Sequence, residues 1–265
     1  MAIGLSISLP EGLEAFLIIA VVAAYFHHVG QKGASTAVIA PALVAVIVSI
    51  GTTFGGLIEV DNTWLQWLEF GAALLGLITI TWFVYSVANR WTPATPDDRD
   101  GRLSGLSLVP VVFLGFAVVL RESVDAATFA SEMADSVSGT VLLPGIIIGL
   151  LLGVALAAAV YHLLRRLRAQ SFQIVGSLIL VFAAAALGAH AVSDLSRLGW
   201  MPSSLAKVVW DVNWIVPQNT LLGRFLHAFM GYNATPTGPA VIFYLGYLLI
   251  ACITLLLLLN RVPSE

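Results

Sequence analysis

The stretch Arg121-Glu122-Ser123-Val124-Asp125 lies inside an apolar run from about Leu106 to Ala130 that is long enough to cross a bilayer. Charge there is expensive: an acid near the bilayer centre costs about 2.5 to 3.5 kcal/mol on insertion scales. Near the other end of the chain Pro10-Glu11-Gly12-Leu13-Glu14 repeats the acidic spacing inside a second apolar run. In both places the two acids are three residues apart, so on a helix their carboxylates share one face about one turn apart. Two such pairs facing each other would hold a cation between hard oxygen ligands, and protonation would relieve much of the cost when no cation is present.

The rest of the chain fits a bilayer. Hydrophobic residues make up 59% of the 265 and charged residues only 10%, with a mean hydropathy of +0.95, which describes an integral membrane protein rather than a soluble core with a solvated surface. No Lys/Arg cluster points to nucleic acid. Cys252 is the single cysteine, which excludes an intramolecular disulfide, a CxxC motif and a thiolate metal site. Metal chemistry must then use oxygen or imidazole. The first apolar run has no basic residues ahead of it and contains Glu11 and Glu14, so it reads as a retained span and not as a signal peptide.

Seven apolar segments have the length of a transmembrane helix: Leu5–His28, Ala34–Ile58, Trp64–Ala88, Leu106–Ala130, Val141–Leu164, Phe172–Val192 and Pro239–Leu259. The expected fold is therefore an all-α membrane protein of seven transmembrane helices in a single domain. Lys32, Arg90, Arg99, Arg102, Arg165, Arg166, Arg168 and Arg261 fall on one side; Arg197, Lys207 and Arg224 fall on the other. Because cytoplasmic loops carry the basic excess, the N-terminus is expected outside. The outer loops holding Glu59, Asp61, Glu132 and Asp135 agree. A polar loop at residues 91–105 separates a first three-helix repeat (1–90) from a second (106–198), and the odd helix count inverts one against the other. A Trp- and Pro-rich outer segment (199–238), expected to hold a short interfacial or re-entrant helix, precedes the seventh helix and tail (239–265). In this topology Glu11 and Glu122 both lie roughly 9 to 12 Å inside the outer end of their spans, at 1.5 Å per residue.

Glu11, Glu14, Glu122 and Asp125 are thus the candidate metal ligands, suited to iron(III), manganese, magnesium or calcium better than to copper(I). Glu132 and Asp135 continue the three-residue spacing and are candidates for the way in; His27 and His28, at the inner end of the first span, for the way out. Arg121 is a candidate supporting counter-ion. It is adjacent to Glu122, so their side chains diverge by about 100° and it is free to pair with the first span or a helix C-terminal carbonyl. Glu69, in the third span, is a candidate third-helix ligand or proton acceptor. His162, His190 and His227 receive no role. An intramembrane metal-dependent enzyme is the alternative of a different class, but HExxH, Gly-x-Ser-x-Gly and Cys/His clusters are all missing from the sequence.

The two motifs resemble the Arg-Glu-Gly-x-Glu signatures in the first and fourth spans of the oxidase-dependent, high-affinity iron permease family, which includes fungal permeases and bacterial Efe-type transporters. The resemblance extends along nearly the whole chain, through the glycine-rich fifth span, Ser193-Asp194-Leu195, Gly199-Trp200-Met201-Pro202, Trp210-Asp211 and Gly231-Tyr232. It implies an iron permease of the plasma (cell inner) membrane, with iron (Fe3+ or Fe2+) as transported substrate and no tightly bound cofactor. Membrane lipid and an extracytoplasmic ferroxidase or iron-delivery protein are the implied partners. Pro10 stands where the family has arginine, Ser123 where it has glycine and Asp125 where it has glutamate. Carboxylates are kept at all four positions, but the site is one arginine more negative and Asp125 is one methylene shorter. Another divalent cargo, such as manganese or lead, is the alternative those departures allow. Proline can sit in a first helical turn without breaking a helix, which is how Pro10 can be accommodated.

Overall fold

The computed structural model describes residues 2–54, 62–90, 108–134, 139–218 and 220–259. Their order is α1 (Ala2–His28), a 3-10 turn (Lys32–Ser35), α2 (Thr36–Phe54), α3 (Asn62–Arg90), α4 (Val109–Ala134), α5 (Gly139–Leu164), α6 (Ala169–Arg197), α7 (Leu221–Met230) and α8 (Gly238–Leu259). Among the described residues there is no strand, only an isolated bridge between Val208 and Thr237. The 91–105 loop, Glu59, Asp61 and Asp135 lie outside the described residues, and Glu132 is described only as part of the α4 backbone.

Five helices are long and apolar enough to cross a membrane, over Ser8–His28, Thr63–Ala88, Pro144–Leu164, Ala169–Arg197 and Gly238–Leu258. α2 offers a shorter apolar stretch, and α4 is 26 residues long but is interrupted by Arg121, Glu122 and Asp125. The short helix expected within residues 199–238 is present as α7.

α1 is the centre of the bundle. Its apolar span is 83% buried, against 17% for α5 and 11% for α8, so α1 lies in protein while α5 and α8 turn most of their surface outward. Leu151, Leu163, Ile242, Leu249 and Ile250 are exposed accordingly, the residue types that meet lipid tails. α1 packs most extensively on α5, α4 on α2, and α3 on α6, while α1 and α4 also touch; α8 covers α6 and α3. Around the inner half of α1, Tyr25 and Phe26 meet Phe83 of α3 edge-on, with ring centroids 5.3 and 6.4 Å apart.

Glycines permit the closest approaches. In α5 a Cβ at Gly149 would strike Ser8 Oγ and lie 3.0 Å from both Leu5 O and Leu9 N, and one at Gly153 would lie 3.0 Å from Leu13 N. Spaced four apart, these two residues form the small-residue stripe that lets membrane helices pack backbone to backbone. Ser8 Oγ lies 2.9 Å from Ile146 O across that seam and 3.0 Å from Gly4 O, sharing its one proton between them. In α4 Gly115 approaches the backbone carbonyl of Val38 in α2 in the same way.

Pro10 is not in a first turn. α1 begins at Ala2, so Pro10 is buried well inside the helix, where it can give no hydrogen bond to the carbonyl four residues earlier. The helix nevertheless runs unbroken through Gly12, because α5 encloses this part of α1. The seam is therefore expected to tolerate no side chain. Gly149→Val should destabilise the protein by about 1–3 kcal/mol or more, read as a lowered thermal unfolding midpoint in detergent, whereas Leu151→Val on the exposed face of α5 should change it little.

Candidate metal centre

Two helices aim acidic side chains at one point in this bundle. α1 places Glu11 and Glu14 one turn apart, and α4 places Glu122 opposite them. One carboxylate oxygen from each of the three lies within 4.8 Å of the others. Opposite ligands on a cation with bonds of about 2.1 Å are about 4.2 Å apart, so small side-chain rotations would bring all three onto one ion. Glu14 and Glu122 are 2% and 3% exposed. Neither oxygen of Glu14 has a hydrogen-bond partner, nor has Oε2 of Glu122. Three carboxyl groups this close together need a proton or a cation among them.

The fourth expected ligand is engaged differently. Arg121, buried, pairs through Nη1 with Glu122 Oε1 and through Nη2 with Asp125 Oδ2 at 2.7 Å. The 100° between successive helical positions is spanned because the guanidinium sits at the end of a long side chain and presents a fork of donors. Arg121 thus counters the carboxylates of its own helix and holds Asp125, which is 25% exposed, outside the three-oxygen group.

Glu69 belongs to a second cluster. Its Oε2 lies 3.7 Å from Arg197 Nη2, and Arg197 also pairs with Asp194. His28 donates from Nε2 to the Leu164 carbonyl at 3.0 Å and stacks on Phe172 at 4.3 Å, closing the C-terminal turn of α5. His27 meets the ring of Tyr161 at 6.3 Å. Both histidines are about 20 Å along α1 from Glu14 at 1.5 Å per residue. Of the suggested way in, Asp135 and the side chain of Glu132 lie outside the described residues.

One neighbour of the cluster was given no role in the sequence. α7 turns back against α1 and α6 and sets His227 Nε2 3.9 Å from Glu14 Oε2. One turn earlier, Arg224 is half-buried; burial pushes its guanidinium below the ordinary range while the charge of Glu11 opposes that shift. The three-residue spacing of Arg224 and His227 on α7 therefore matches that of Glu11 and Glu14 on α1. Thr220 caps the start of α7 by accepting from Gly223 N at 3.2 Å, and Gly231 ends it at φ +64°. There a Cβ would come within 2.5 Å of Ala186 Cβ in α6, so Gly231 is required both by its conformation and by its contact. A cavity of about 350 Å³ lies behind α7, lined by His190, Ser193, Trp210, Leu226, Tyr232 and Tyr244 among others, and none of the clustered carboxylates reaches it.

The pairing of Arg121 makes a stability prediction. Arg121→Met leaves buried carboxylates without their counter-charge and should cost about 3–5 kcal/mol, measured by thermal unfolding in detergent. Arg121→Lys should recover only part of the loss, because an ammonium lacks the two-pronged geometry that reaches Glu122 and Asp125 together.

The sequence matches known proteins along nearly its whole length. The profile of the iron permease FTR1 family matches residues 1–262. The ferrous iron permease EfeU of Yersinia pestis is 28% identical over 258 residues, covering 92% of this chain and 89% of that protein. The protein of the same name from Escherichia coli O6:K15:H31 (strain 536) is 26% identical over 267 residues, covering 95% and 94%. No solved structure matches the chain.

Proposed function

The chain belongs to the iron permease FTR1 family, and from that premise we propose that it carries iron(II) inward across the plasma membrane through a site formed by Glu11, Glu14 and Glu122. Members of this family are permeases, so the protein is a multi-pass membrane transporter and not an enzyme. The observation that carries the site is Glu14: a buried carboxylate with neither oxygen hydrogen-bonded, facing two further carboxylates within 4.8 Å. Such a group is costly in an apolar bundle unless a cation or proton occupies the space between the acids. Asp125 and Arg121 flank the site as a neutralising pair, and Asp125 is the ligand in reserve, released to the ion when Arg121 turns to Glu122 alone. The valence follows the relatives, which are named for ferrous iron. An iron-delivery protein at the outer face is the partner class this reading retains; iron(II) needs no ferroxidase on arrival.

Seven spans are part of the same reading, with α2 and α4 crossing alongside the five long apolar helices and the N-terminus outside. Residues 1–90 and 106–198 are inverted repeats, followed by the outer segment and the last helix. A twofold axis exchanging α1 with α4 and α2 with α5 would exchange the α1–α5 and α4–α2 seams, and both are the most extensive contacts of their helices. Each is also glycine-lined. The same axis would run between α1 and α4, where the acids meet, and rocking of one repeat against the other would open the site to alternate sides.

Purified protein in proteoliposomes should accumulate radiolabelled iron(II) added outside. Glu14→Ala/Glu122→Ala should abolish uptake, at least about a hundredfold, while leaving the protein folded by circular dichroism. Undiminished uptake by the double variant would sink the site, and stronger competition by manganese(II) or lead(II) than by unlabelled iron would reassign the cargo.

A further inference from the structure

α7 brings an imidazole to a site that otherwise offers only oxygen. His227 Nδ1 lies 2.8 Å from the Tyr232 carbonyl oxygen. A carbonyl can only accept, so Nδ1 carries the proton. In the neutral ring that leaves a lone pair on Nε2, and Nε2 is the atom 3.9 Å from Glu14 Oε2. That separation is too long for a hydrogen bond, and Glu14 Oε2 has no other partner. Two electron-rich atoms therefore face each other across a gap close to the span of one cation with bonds of about 2.1 Å; His227 reaches the cluster at Glu14 and stands outside the group of three carboxylate oxygens that lie within 4.8 Å of one another, so joining their ion takes a small closure of α7 onto α1.

The ring is also held as a metal-ligating histidine is commonly held, with its second nitrogen donating to a backbone carbonyl that fixes tautomer and orientation. The carbonyl belongs to Tyr232, whose hydroxyl in turn donates to Val216 O at 2.8 Å, and the backbone carbonyl of His227 accepts from Gly231 N at 2.8 Å. His190 of α6 packs edge-on against the ring with centroids 5.3 Å apart. Every contact constrains the imidazole except the one at Nε2.

We infer that His227 is a nitrogen ligand to the transported ion, completing a site of Glu11, Glu14, Glu122 and His227 contributed by α1, α4 and α7. This rests on the proposed carboxylate site and adds to it a basis for selection. Carboxylates alone suit magnesium, calcium and manganese, whereas imidazole favours later and softer divalent ions, iron(II) among them. His227 is then the residue that separates iron(II) from the harder cations that any acidic site attracts. It also gives α7 a part in transport, since the ligand leaves the ion if α7 moves away from α1.

The test uses the full-length protein and iron(II) alone under reducing conditions. Iron X-ray absorption of the wild type should show the multiple-scattering signature of one imidazole, and His227→Asn should lose it. Asparagine retains an N–H for the Tyr232 carbonyl but has no atom in place of Nε2, so a role confined to holding α7 would survive the substitution. In proteoliposomes His227→Asn should raise the half-saturating iron(II) concentration about tenfold or more while shifting that for manganese(II) less than about twofold. An all-oxygen iron shell in the wild type, or an unchanged iron-to-manganese ratio in the variant, would overturn the assignment while leaving the carboxylate site standing. Failure of wild-type protein to bind iron at all would overturn both.

Discussion

Glu14 imposes the constraint on which the rest of this structure depends. It is a carboxylate at the middle of a buried helix with neither oxygen hydrogen-bonded, in surroundings where an uncompensated charge is worth several kcal/mol. Burial of most of α1 creates the problem, and the glycine seam brings the α5 backbone close against it. Glu11 and Glu122, brought within 4.8 Å of it, are electrostatically the wrong neighbours unless something positive stands between them. A permease needs such a site: unsatisfied when empty, and satisfied by an ion that must later leave.

The arginines explain why the acids do not all behave alike. Arg121 is engaged by Glu122 and Asp125, and Arg197 by Asp194 with Glu69 close by. Each forms a compensated group in which much of the carboxylate charge is already answered. Glu14 makes no comparably close ion pair among the described residues, where His227 Nε2 stands 3.9 Å from its Oε2. Polarity is thus distributed so that one position in the bundle is left open to an outside cation, and α7, carrying Arg224 and His227 in register with Glu11 and Glu14, stands beside it.

Much of this was legible in the sequence, for physical reasons. Two pairs of acids in apolar runs could only be interior, and the three-residue spacing set them on one helical face before any coordinate was known. Helix lengths followed from apolar runs, whereas the close seam at Gly149 and Gly153 shows only in the packing of α5 on α1. What escaped was whatever depended on how the chain returns. Arg121 was free, by helix geometry alone, to pair elsewhere, and only the reach of its side chain ties it to Glu122 and Asp125. Pro10 could be accommodated in a first turn by local rules alone, while α1 extends eight residues before it. His227 lay in a segment that reads as an interfacial anchor, and nothing near it in sequence announces Glu14, more than two hundred residues away. The Thr220 cap and Gly231 terminus were the available signals: together they define a short helix held at a fixed angle, a stronger demand than anchoring makes.

The central claim is that one iron ion occupies the space among Glu11, Glu14 and Glu122. Anomalous difference density collected at the iron absorption edge, from full-length protein crystallised with iron(II), tests it most directly. A single peak within bonding distance of all three carboxylates is the expected result. A peak at the Glu69–Asp194 cluster, or none between α1 and α4 in crystals shown to contain iron, would contradict the account.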